Sequence, residues 1–240
     1  MKKILLLTLS TFLTIAIFAQ DPPTSDDNKR KISLANRHND HLMIQFGYAG
    51  WASAPDSAKP EGFSKSFNVY FMWDFPFKTN PKLSMAFGPG IATDHIVFKA
   101  KHVGIKDLTP TIAFSDRSDT THFKKTKLAT AYLEAPVEFR FQADPTKSSF
   151  KFALGVKVGT LINAHTRNAK LEDGDGNELN DYTMKEASKR FFNKNRLVAS
   201  ARIGYGHFTL FGSYQVTSLF KDGAGPQVKP FSIGLTLSGL

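Results

Sequence analysis

From Leu42 to Leu237 the chain runs through one short segment after another in which apolar residues recur at every second position. That period places successive side chains on opposite faces of a β-strand. Leu42, Ile44, Phe46 and Tyr48 share a face of the first segment, Phe67, Val69, Phe71, Trp73 and Phe75 of the second, and Leu83, Met85, Phe87 and Ile91 of the third. The fourth and fifth segments read as a hairpin, with Leu133, Ala135, Val137, Phe139 and Phe141 leading through a turn at 143–149 into Phe150, Phe152, Leu154, Val156 and Val158. Matching their apolar faces by pairing Phe141 with Phe150 sets Arg140 opposite Lys151 and Glu134 opposite Lys157. Leu197 to Ile203, Phe208 to Val216 and Phe231 to Leu237 supply a sixth, seventh and eighth segment of the same kind. The expected fold is therefore all-β, an eight-stranded antiparallel up-and-down barrel.

The connections alternate in length. Those at 52–64, 95–127, 165–194 and 218–229 are long, whereas those at 76–82, 143–149 and 204–207 are short. In a meander this gathers the long connections at one end, the arrangement of a transmembrane barrel with short periplasmic turns and long extracellular loops. The apolar face is almost wholly Phe, Leu, Ile and Val. The opposite face mixes small residues (Gly88, Gly90, Ala153, Gly155, Gly159) with Glu134, Glu138, Arg140, Lys151, Lys157 and Arg202. An eight-stranded barrel encloses little more than side chains, so small residues and paired charges suit its interior and the apolar face suits lipid. Tyr48, Trp73, Phe75 and Phe141 fall near strand ends, where interfacial aromatic girdles lie. The six charged residues are read as a structural ion-pair network in the lumen. A soluble, lipocalin-like ligand-binding barrel would instead turn the apolar face inward.

The N-terminus bears on location. Lys2 and Lys3 precede an apolar run from Ile4 to Phe18, then Ala19 and a polar stretch. This is the layout of a secretory signal peptide, 1–19, cleaved after Ala19. Residues 20–40, rich in Pro, Asp, Asn and Lys, suggest a disordered periplasmic segment, and 41–240 form the barrel domain. Beyond residue 19 no apolar run reaches the ~20 residues of a membrane helix. Cysteine is absent, which excludes disulfides and a lipid-modified cysteine. The net charge of +10 is scattered along the chain and does not form the basic face of a nucleic-acid binder.

Candidate chemistry is sparse. Asp173, Asp175 and Asn177 imitate the start of a calcium loop, but Glu178 and Met184 stand where Gly and Glu are required. His95, His102, His122 and His165 lack metal-ligand spacing, and no nucleophile, base and oxyanion site converge in the pattern. Residues 184–194, with Ala187, Phe191 and Phe192, suggest a short amphipathic helix lying on headgroups or capping the barrel mouth. Neither catalysis nor a cofactor or metal is expected.

The segment TAYLEAPVEFRFQ (130–142), the following FKFALGVKVGTLIN (150–163) and the closing hairpin YQVTSLFKDG with KPFSIGLTL together resemble the PorT-like outer-membrane β-barrel family. The resemblance implies a membrane barrel of about eight strands in a Gram-negative bacterium. The expected function is that of a non-enzymatic outer-membrane protein serving as a surface-loop platform or as a component of an envelope complex. Its expected partners are outer-membrane lipid and an envelope or secretion-complex protein. A narrow porin-like channel is the alternative.

Overall fold

The computed structural model describes residues 41–239. The expected signal peptide, the cleavage after Ala19 and the 20–40 segment lie outside the described residues. Within them the alternating segments form thirteen strands: β1 (Leu42–Ala52), β2 (Lys65–Phe71), β3 (Trp73–Pro76), β4 (Leu83–Phe87), β5 (Gly90–Lys99), β6 (Lys101–Val103), β7 (Phe114–Asp116), β8 (His122–Gln142), β9 (Phe150–Glu172), β10 (Glu178–Ala187), β11 (Asn195–Tyr205), β12 (Phe208–Gln215) and β13 (Lys229–Ser238). Eight of them close a ring of antiparallel pairs in the order β1, β2, β5, β8, β9, β11, β12, β13 and back to β1.

The expected count of eight strands thus describes the ring and not the full set. Two expected strands are each broken in two. Between β2 and β3 the Met72 N–H turns to the His41 carbonyl. Between β4 and β5 stand Gly88 and Pro89, the latter without an N–H to give to a ladder. The register carries through both breaks, since Tyr70 faces Gly90 and Trp73 faces Phe87.

A larger departure concerns the long connections. β9 and β10 run through most of 165–194, and β5 and β8 extend into both ends of 95–127, so much of these connections is strand and not loop. On the β8 extension the cations Lys125 and Lys127 take the outward positions while Thr126 and Leu128 face inward, a pattern that an outward apolar period does not reveal. The helix expected at 184–194 is absent: Met184 and Ala187 belong to β10, and Phe191 and Phe192 are buried in a loop core. There the hydrogen bonds of β10 to β9 outweigh a weak amphipathic pattern.

The hairpin register differs from expectation by two residues, with Phe141 opposite Phe152, Arg140 opposite Ala153, Glu134 opposite Gly159 and Lys157 opposite Pro136. The parity is unchanged. The difference arises in the turn, where Ala143 N donates to Phe150 O and extends the ladder. Ser149 Oγ then donates to Asp144 O, and Asp144 Oδ1 accepts from Thr146 N, closing a tighter loop than the bare spacing suggests.

Burial runs inside out. The apolar face is bare, with Phe46, Leu133, Val158 and Ile233 between 48 and 60% exposed, while Gln45, Glu134, Glu138 and Lys157 are 1–2% exposed. An apolar-inward, lipocalin-like arrangement is not what the chain adopts. Trp73 packs edge-on against Phe71, and Phe75 stacks on Phe87, forming an aromatic cluster toward the short-turn end.

Candidate functional site: the lumen and its cap

Inward-facing positions of the ring carry two charged clusters. In the first, nearer the long connections, Arg196 Nε on β11 donates to Glu134 Oε1 on β8 at 2.6 Å and its Nη1 to Asp94 Oδ2 on β5 at 2.9 Å. The Tyr70 hydroxyl on β2 donates to Glu134 Oε2 at 2.6 Å. Lys157 on β9 donates in turn to Tyr70 Oη at 3.0 Å and to Gln45 Oε1 on β1 at 3.1 Å. Gln45 Nε2 donates to Thr236 Oγ1 on β13. Seven strands of the ring therefore contribute to one connected set of polar side chains.

In the second cluster Arg202 grips Glu138 through Nε and Nη2, at 3.2 and 2.7 Å, the two-point geometry that suits a guanidinium to a carboxylate. Arg140 Nε also donates to Glu138 Oε2, at 2.9 Å, and Ser84 Oγ to Asp74 Oδ1 at 2.7 Å. Lys151 lines a cavity here with Asp74, Arg140 and Arg202. That cavity and the one between Tyr70, Asp94, Glu134, Lys157 and Arg196 each have a volume of about 20 Å³, room for about one water.

The six charged residues singled out in the sequence fall into both clusters: Glu134 and Lys157 in the first, Glu138, Arg140, Lys151 and Arg202 in the second. The tight register removes the facing pairs Arg140–Lys151 and Glu134–Lys157, and Lys157 reaches Glu134 through the Tyr70 hydroxyl. Arg196 and Asp94 were missed because the apolar pattern ends its strands at Leu197 and Ala92. One more period-two step on each strand would have placed both inward.

Above these clusters all four long connections meet in an apolar core. Ala58 comes from the first, beside Trp51 at the end of β1, Ile105 and Ile112 from the second, Phe191 and Phe192 from the third, and Leu219, Phe220 and Val228 from the fourth. Trp51 packs edge-on against Phe98, Phe114 and Phe220, with ring centroids 5.5–6.0 Å apart. Asn193 Nδ2 ties the third connection to the fourth by donating to Ser218 O and Phe220 O. The lumen residues Tyr132 and Leu161 belong to the same core. The Arg196 guanidinium lies 3.8 Å from the Tyr132 ring centroid, joining the charges below to the cap above.

Of the remaining candidates, Asp173, Asp175 and Asn177 form the turn between β9 and β10, and His95, His102, His122 and His165 lie on β5, β6, β8 and β9. Asp173 Oδ1 accepts from Asn177 N and Asp175 N, and Oδ2 from Asn177 Nδ2. The Asn177 amide, followed by these backbone N–H groups, holds the Asp173 carboxyl below its ordinary value. His102 Nε2 lies 3.2 Å from Asp107 Oδ2, and His122 Nδ1 lies 2.7 Å from Thr120 O. Among the described residues no group of three His, Cys, Asp or Glu side chains is placed to hold a metal ion.

The sequence model of the outer membrane protein β-barrel domain matches residues 18–221, most of the chain. The chain belongs to that family. It is accordingly an outer-membrane β-barrel protein. No curated protein matches it. Among solved structures, this barrel is similar to Ail, the attachment invasion locus protein of Yersinia pestis, in complex with the heparin analogue sucrose octasulfate. The identity is 15% and the TM-score 0.34, over 82% of this chain and 95% of that one. A second crystal structure of Ail aligns at 11% identity and a TM-score of 0.32, over 82% of this chain and 94% of that one.

Proposed function

We propose that this family member is a non-enzymatic barrel whose eight-strand ring spans the outer membrane. Its long connections form a folded surface platform outside the cell, and its short turns face the periplasm. The observation that carries this reading is the closure of the lumen: ion-paired clusters fill it and an apolar core from all four long connections seals its mouth. Such a barrel offers solutes no path, whereas its cap is an ordered surface on which a protein partner in the envelope can dock. The bare apolar band calls for lipid around it. Export by a signal peptide cleaved after Ala19, and a finer placement among PorT-like barrels on the resemblance of 130–163 and 214–237, belong to the same reading.

The test is conductance of the purified protein in planar bilayers, with protease applied to intact cells. The expected outcome is no conductance steps and cleavage confined to the long-connection end. Steady single-channel steps would overturn the platform in favour of a narrow channel. Recovery of the protein in the soluble periplasm without detergent would overturn membrane insertion altogether.

A further inference from the structure

β8 and β9 are 21 and 23 residues long, about twice the ~10 residues needed to cross a bilayer. Roughly ten residues counted upward from Phe141 and Phe152 bring the lipid band to Ala131 and Ile162, and both strands continue well past it. On the extension the outward face changes character. It carries Lys125 and Lys127 on β8, Arg167 on β9, Lys185 on β10 and Lys99 on β5, with Lys65 of β2 at its side. The register sets these cations against one another: Lys99 faces Lys125, Lys127 faces Arg167, and Arg167 faces Lys185.

Directly opposed residues on antiparallel strands lie about 5 Å apart, and like charges in that position destabilise the sheet. The chain compensates cations elsewhere on the same strands, where Lys124 is paired with Glu172 and Lys170 with Glu178. On the outward shelf it does not: among the described residues none of these six cations makes an ion pair. A surface that maintains such repulsion is complementary to an anion absent from the chain. The shelf faces sideways, continuous with the lipid-facing face of the ring, and starts about four residues, or roughly 13 Å of strand, above the apolar band. Long cationic side chains can also bend back toward the interface.

We propose that this shelf binds the phosphate groups of a glycolipid in the adjacent outer leaflet, holding a lipid shell around the protruding sheet. The inference rests on the membrane-spanning reading above. Other cations without an ion pair among the described residues lie on the loops, such as Lys106, Arg190 and Lys221, but the cations that the ladder sets against one another lie on the face that the leaflet abuts, which favours lipid over a soluble polyanion.

The test purifies the full chain from outer membranes in detergent and measures retention of bisphosphorylated lipid A against its dephosphorylated form. Wild type is compared with the quadruple variant Lys99→Gln/Lys125→Gln/Lys127→Gln/Arg167→Gln. Each sample is run on a heat-modifiability gel, which reports the folded barrel independently. Wild type is expected to prefer the phosphorylated lipid by at least about tenfold, a preference that falls as salt is raised, and the folded variant to lose it. Should the variant not fold, the salt dependence of wild type alone decides. A detergent-requiring, heat-modifiable wild type without phosphate preference overturns the lipid site and leaves the membrane reading intact. A chain that needs no detergent overturns both. Tighter retention of a soluble heparin-like polysulfate than of lipid A overturns the assignment to lipid.

Discussion

Glu134 and Arg196 meet across the lumen, 2.6 Å from Oε1 to Nε, and both are buried. Each also anchors further groups, Tyr70 on the carboxylate and Asp94 on the guanidinium. Removing one member of a buried pair leaves the other charge uncompensated, typically at a cost of about 3–5 kcal/mol. Glu134→Leu leaves Arg196 with Asp94 alone and takes a counter-charge from Lys157, so the barrel should be destabilised by up to that amount. The double variant Glu134→Leu/Arg196→Met should not recover the loss, because Asp94 then loses its guanidinium as well. Denaturant titration of the folded band in lipid vesicles measures both. A single variant as stable as wild type would show that the pair is not structural.

A second expectation concerns the seam between the first and last strands of the ring. Gly47 on β1 faces Gly234 on β13, and a Cβ on either would collide with a backbone carbonyl across the pair, Ile233 O or Phe46 O. Gly47→Val should prevent closure and abolish the heat-modifiable folded form. A normal folded band would mean that the two backbones can separate there without loss of the ring.

The cap and the lumen clusters are separable barriers. Trp51→Ala removes the ring around which Phe98, Phe114 and Phe220 pack, a loss of about 3–5 kcal/mol for a buried aromatic. Protease should then cut the long-connection end faster. Conductance should remain absent, because Glu138, Arg140 and Arg202 still occupy the lumen. Conductance appearing on loss of the cap alone would make the core the only seal.

Asp173 offers a local titration. Its folded pKa lies below its unfolded value, so the order it lends the turn is complete above the unfolded pKa. That order is lost as pH falls through the folded one. NMR of the side chain should give a midpoint below that of an ordinary Asp, and Asn177→Ala should raise it. An unchanged midpoint in the variant would remove the Asn177 amide as the cause.

The ring was legible from sequence because its two faces differ so sharply: Phe67, Val69 and Phe71 against Asn68 and Tyr70 leave little doubt about orientation. The inward placement of Glu134, Glu138, Lys157 and Arg202 followed from the same parity. Partners did not follow, because parity fixes a face but leaves the register free by steps of two, and the bonds of Asp144 and Ser149 decide that step. The extensions of β8, β9 and β10 escaped notice for another reason. Where the outward face carries cations in place of apolar residues, as at Lys125 and Lys127, the apolar signal vanishes although the hydrogen-bonded ladder continues.

The pairing of β1 with β13 has a consequence for biogenesis. A ring whose closing ladder joins Met43 to Ser238 and Ala52 to Lys229 cannot form while the last strand is still being synthesised or translocated. Until then the apolar staves have neither lipid nor partner strand, and contacts this distant along a chain form slowly. Exposure of aromatic strands between synthesis and closure, with the risk of aggregation that it brings, is therefore a cost written into the topology itself.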